Sequence, residues 1–213
     1  ERNSTLMDGG GVENSGAKVT FQRVMVRNNR APNMDGGGIH NASSGEFTVV
    51  DTTMLFNRAQ NGGGFTNASD STLVMRRTTI HHNKAIRLPL PEDPEEGGYG
   101  GGFYSISDGG GLMENTTISH NTANVRGGGM YHDADADFKI VNVTIWRNSA
   151  PLGGGLSTVE SDFVPSIPPQ PNPLTLKNTI VAGSLEGGSC DWYVTSEGGN
   201  LAGNPTCFVS VPG

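Results

Sequence analysis

Glycine triplets, each followed by one apolar residue, recur with a near-constant period at 9–11, 36–38, 62–64, 100–102, 127–129 and 153–155. Their first glycines are separated by 27, 26, 38, 27 and 26 residues, so one interval carries an insertion. The residues that follow are Val12, Ile39, Phe65, Phe103, Met130 and Leu156, a single apolar column when the copies are superimposed. A fixed period of this length is the mark of stacked repeat units. An independent signal has the same period: Asn-x-Ala at Asn29, Asn57, Asn83, Asn121 and Asn148, with Val26, Met54, Ile80, Ile118 and Ile145 three residues earlier. In the last copy, Ile180-Val-Ala-Gly183, glycine is expected to stand in for the asparagine. Asn3 lies 26 residues before Asn29, so the chain is expected to open partway through a coil of a longer precursor.

A unit of about 26 residues cannot bury a face alone, and its pieces are short alternating runs such as Lys18-Val-Thr-Phe21 and Glu46-Phe-Thr-Val49. Helical repeats are excluded, because each glycine would weaken a helix by about 1 kcal/mol relative to alanine. Leucine-rich repeats need a framework that is missing here, and propeller blades need about 40 residues or more. What remains is an all-β fold, a right-handed parallel β-helix of about six coils. Equivalent strands then pair in parallel at about 4.8 Å. Val26, Met54, Ile80, Ile118 and Ile145 stack inward, and the five asparagines form a ladder of side-chain amide hydrogen bonds. Coils are expected over 1–183, interrupted by proline-rich acidic insertions at 86–99 and 159–173, with a non-repetitive cap over 184–213.

The net charge of −7 argues against nucleic acid as a partner, and no apolar run approaches the about 18 residues needed to span a bilayer. Cys190 and Cys207, the only cysteines, fall in the tail. They read as a disulfide closing the cap, since a metal site would want further Cys or His at ligand spacing. Such a bond persists in oxidising compartments.

The Gly-Gly-Gly-Ile and Thr-Thr-Ile-x-x-Asn-x-Ala units, with Asn178-Thr-Ile-Val-Ala-Gly183 and a Cys-bracketed Gly-Gly-Asn-Leu tail, resemble bacterial secreted parallel β-helix proteins of the choice-of-anchor Q type. The repeats are more weakly similar to those of polymorphic outer membrane proteins. The resemblance implies fold, export and surface display, and it carries over no catalytic residue.

Chemistry would need side chains brought together by the coils. Carboxylates that could pair for glycosidic cleavage are Asp108, Asp133, Asp135, Asp137, Glu160 and Asp162. Asp133, Asp135 and Asp137 alternate and could approach one Ca²⁺, although the loop lacks the glycine and distal glutamate of an EF-hand; a solvated turn is the competing reading, and no other cofactor is indicated. Two columns are expected to face outward. One, two residues before each ladder position, reads Arg27, Leu55, His81, Ser119, Trp146 and Val181; the other, two after each triplet, reads Glu13, His40, Thr66, Tyr104, Tyr131 and Ser157. Tyr104, Tyr131 and Trp146 are the candidate ligand surface, with ordinary wall packing as the alternative. His82 and His120 are expected at equivalent turns of adjacent coils. Two functions follow: a non-enzymatic extracellular or cell-surface scaffold contacting a surface protein or polysaccharide, as a subunit of a larger assembly; or a polysaccharide lyase or glycoside hydrolase on the same fold.

Overall fold

The computed structural model describes residues 3–86, 97–158, 174–192, 194–204 and 207–209, with backbone only at 208 and 209. The insertion residues 87–96 and 159–173, and with them Glu160 and Asp162, lie outside this set. Every paired strand is parallel to its neighbours, and the strands fall into four sheets. A triplet sheet runs in six rungs from Val12–Ser15 to Leu156–Thr158. A central sheet has eight rungs from Lys18–Gln22 to Phe208–Val209, and an isoleucine sheet seven from Met25–Arg27 to Leu201–Ala202. An alanine sheet of four rungs follows the asparagines, from Arg30–Asp35 to Thr122–Ala123. This is a parallel β-helix. Among the described residues no helix is long and apolar enough to cross a membrane.

The two apolar columns stack in the expected register. Val26, Met54, Ile80, Ile118 and Ile145 pair rung to rung and are at most 5% exposed. Ile39, Phe65, Phe103, Met130 and Leu156 do the same on the triplet sheet and are fully buried. The central sheet meets them from the other side: Phe47 packs edge-on against Phe65 at 5.7 Å between centroids, and Phe138 packs against Phe103 at 5.5 Å. Each such side chain contributes about 1.5–3 kcal/mol by leaving water.

Behind the isoleucine sheet runs the asparagine ladder. In each link one Oδ1 accepts both the backbone N–H and the Nδ2 of the asparagine one coil earlier. Asn83 Oδ1 takes Asn57 N and Nδ2 at 2.9 and 3.0 Å, and Asn121 Oδ1 takes the corresponding groups of Asn83 at 2.9 and 3.0 Å. The second amide hydrogen reaches a backbone carbonyl, Asn57 to Val26 and Asn83 to Met54. All five asparagines are at most 2% exposed. The third glycine of each triplet is what lets the ladder fit: a Cβ on Gly102 would stand 2.8 Å from Asn121 Nδ2. The first glycine turns the corner in the left-handed region, as at Gly100 with φ of +64°.

Two details of the last coil differ from expectation. Val181, not Ile180, pairs with Ile145, so Val181 is fully buried while Ile180 is 39% exposed. Ser184 therefore takes the ladder position, and Gly183 occupies the left-handed corner held by Arg147 one coil earlier, with φ of +63° and +52°. The buried threonine column fixes this register. Thr179 follows Thr52, Thr78 and Thr116 in position, and its hydroxyl accepts Val143 N. Val181 accordingly leaves the outward column, and Ala182 replaces it opposite Trp146.

Stacking also continues past Val181. Gly187, Gly188, Ser189 and Cys190 form another corner in which Cys190 bridges to Leu156 in the apolar column. Val194–Ser196 then joins the central sheet and Leu201–Ala202 the isoleucine sheet. The Cys190–Cys207 disulfide, with Cα atoms 5.1 Å apart and both residues at most 4% exposed, ties this coil to the final rung Phe208–Val209. The disulfide-linked tail thus adds further rungs to the same core.

Candidate functional site

Residues flanking the triplet form one surface. On one side stand Asp8, Asp35, Asn61, Tyr99 and Arg126, immediately before successive triplets; on the other stand Glu13, His40, Thr66, Tyr104, Tyr131, Ser157 and Asp191. Tyr104 and Tyr131 are rung partners, as the spacing predicts, but they are only 9% and 5% exposed. Tyr99 stacks on Tyr131 at 5.0 Å and on Tyr104 at 6.4 Å, so the three rings pack on one another. Burial pushes both phenol groups above their ordinary range. Trp146 does not join them; it lies on the isoleucine sheet.

Further along this corner Asp191 Oδ2 accepts Ser157 Oγ at 2.7 Å and Arg126 at 3.0 Å, while Oδ1 is buried without a partner. Burial raises the Asp191 carboxyl, with the Ser157 bond and the Arg126 charge opposing. Sequence reasoning missed this trio because Arg126 and Asp191 are 65 residues apart and come together only through the seventh corner. Asp133, Asp135 and Asp137 are all exposed; Asp133 accepts Tyr131 Oη at 3.4 Å, and among the described residues no three His, Cys, Asp or Glu side chains converge as metal ligands would.

A second ladder, also missed, runs inside the triplet sheet. Asn14 Nδ2 donates to Asn41 Oδ1 and Asn41 Nδ2 to Asn67 Oδ1, each at 2.8 Å. The signal was the Asn three residues after the third glycine in the first three copies. In later coils the column reads Ser105, His132 and Thr158, whose side-chain polar atoms are buried without partners. Burial pulls the His132 imidazole down to about 4, so it is neutral near pH 7.

The neighbouring corner, between the isoleucine and alanine sheets, is the more exposed surface. There Asn28, Phe56, His82, His120 and Arg147 all adopt left-handed φ between +52° and +57°. His82 and His120 stack at 5.0 Å and 3° between planes on adjacent coils, as their positions predict. His81 Nδ1 lies 2.8 Å from His82 Nδ1, and burial, followed by the like charges of His82 and His120, lowers the His81 pKa. Phe56 tilts against His82 at 5.2 Å. Trp146 is 40% exposed, with the Arg147 guanidinium 5.9 Å from its ring centre and its ring seated over Gly183, where a Cβ would stand 2.7 Å away.

No family model, curated protein or solved structure matches this chain. The buried disulfide belongs to a non-reducing environment.

Proposed function

We propose that this chain is a non-enzymatic extracellular or cell-surface scaffold, an adhesion module that presents one wall of a rigid solenoid to protein or polysaccharide. The observation that carries this reading is Phe56. Its backbone is left-handed, at φ of +54°, and its ring is 53% exposed. A bulky residue in that region pays about 1–2 kcal/mol. The exposed ring recovers little of that by burial, and the core is filled without it. Trp146, 40% exposed, stands beside the same corner on the outer column of the isoleucine sheet, and exposed apolar side chains gathered on one face mark contact surfaces. The disulfide, and the resemblance of the repeats to secreted choice-of-anchor Q proteins, point to the same setting. In this reading the module is one subunit of a larger extracellular assembly.

The second reading, a carbohydrate-active enzyme, is favoured by one observation: Arg126 and Ser157 converge on the buried Asp191, whose carboxyl is raised. Affinity electrophoresis through neutral and acidic polysaccharides, run beside assays for new reducing ends and unsaturated products, separates the two. Retardation that is lost in Phe56→Ala and Trp146→Ala at unchanged melting temperature, without product, is the expected result. Product that disappears in Asp191→Asn would replace the scaffold with an enzyme.

A further inference from the structure

The protein carries a net charge of −7, yet over five coils one of its corners carries basic side chains and no carboxylate. Three adjacent columns define this ridge over the first five coils. The outer column of the isoleucine sheet reads Arg27, Leu55, His81, Ser119, Trp146. The left-handed corner reads Asn28, Phe56, His82, His120, Arg147, and the first position of the alanine sheet reads Arg30, Arg58, Lys84, Thr122, Ser149. No carboxylate occupies any of these positions.

Elsewhere among the described residues five cations are neutralised by salt bridges, Lys18 by Glu46, Arg76 by Glu114, Arg77 by Asp51, Arg126 by Asp191 and Lys139 by Glu197, while Arg23 and Lys177 make none but lie near Asp51 and Glu197. Among the described residues, Arg27, Arg30, Arg58, Lys84 and Arg147 make no salt bridge. An independent feature coincides with them. An open hollow of about 440 Å³ lies at the first two coils of the ridge, lined by Asn28, Arg30, Phe56 and Arg58 with Asn3 and Ser4.

We infer that this ridge binds a linear acidic polysaccharide, a chain bearing carboxylate or sulfate groups, laid along the solenoid axis with Arg30, Arg58 and Lys84 facing its charges and Phe56 facing a sugar ring. The inference rests on the scaffold reading above and names its ligand class. Rung spacing of about 4.8 Å sets cations along the ridge at close to the advance of one sugar per coil. Guanidinium groups match carboxylate and sulfate oxygens in geometry as well as charge. The ridge is one corner wide and about 19 Å long over five rungs, which suits a single extended chain. A duplex or a membrane would instead bring the surrounding negative surface against phosphate.

The test is binding of polygalacturonate, dextran sulfate, neutral dextran, duplex DNA and anionic vesicles, measured by isothermal titration on the folded protein at two salt concentrations. The expected result is salt-sensitive binding of the acidic polysaccharides and none of dextran. An exposed ionic contact is worth a factor of about two to five, so Arg58→Ala with Lys84→Ala should weaken binding about tenfold. Arg30→Glu should weaken it further, while Lys18→Ala, on the central sheet, should leave it unchanged. Circular dichroism establishes that each variant folds. Binding of dextran alone, or binding indifferent to the ridge substitutions, would overturn the ridge and leave the scaffold standing. Equal or tighter binding of DNA or vesicles through the same residues would overturn the polysaccharide. Cleavage of polygalacturonate would instead remove the scaffold reading itself.

Discussion

Replacing Asn83 with alanine removes a link from the middle of the asparagine ladder, and the hydrogen bonds give the cost. Asn83 Oδ1 is the acceptor for both Asn57 N and one hydrogen of Asn57 Nδ2, so two buried donors lose their partner at once. Met54 O also loses the Asn83 Nδ2 donor, whereas Asn121 Oδ1 keeps the bond from Asn83 N. At about 1–3 kcal/mol per orphaned buried group, the two donors alone amount to about 2–6 kcal/mol, a large share of a typical domain's about 5–15 kcal/mol. Asn29 is the control. Its Oδ1 serves only the partly buried Asn3 N at 3.3 Å, and Asn57 Oδ1 retains Asn29 N, so Asn29→Ala should cost about 1 kcal/mol. Urea denaturation followed by far-ultraviolet circular dichroism reads both. Equal, small shifts of the midpoint in the two variants would refute the argument that orphaned donors set the stability.

His132 predicts an acid limb. Its folded value of about 4 lies below the unfolded 6.5, so above pH 6.5 neither state is protonated; as pH falls toward 4 only the unfolded chain gains the proton, removing up to about 3 kcal/mol. His132→Asn should flatten that limb, and an unchanged pH profile in the variant would contradict it. Reduction of Cys190–Cys207 reopens a loop of sequence separation 17, worth about 3 kcal/mol in the chain-entropy model. Hydrogen exchange should therefore accelerate over 174–209 before it does at Ile80 or Ile118; simultaneous exchange of the whole solenoid would show that the last rungs are not a separable unit.

The repeat made the fold legible because each structural position is sampled five or six times, and the glycine and Asn-x-Ala columns fix register without reference to any single residue. Legibility fell where a copy diverges. Ile180 and Val181 both suit an apolar column, and only the buried Thr179 and the left-handed Gly183 decide between them. Ser189 and Cys190 hid a seventh corner because neither matches the triplet. Burial of Tyr104 and Tyr131 could not be read from alternation, since their strands are covered on both faces. The basic ridge depends on three columns from two sheets meeting at one corner, and it emerges only when the coils are stacked.

Amide chemical-shift mapping during titration with polygalacturonate tests most directly where on the solenoid an acidic chain binds. The account predicts shifts concentrated at 27–30, 55–58 and 81–84, with Tyr104, Tyr131, Ser157 and Asp191 silent. Shifts confined to Arg126, Ser157 and Asp191, with the ridge unmoved, would contradict it.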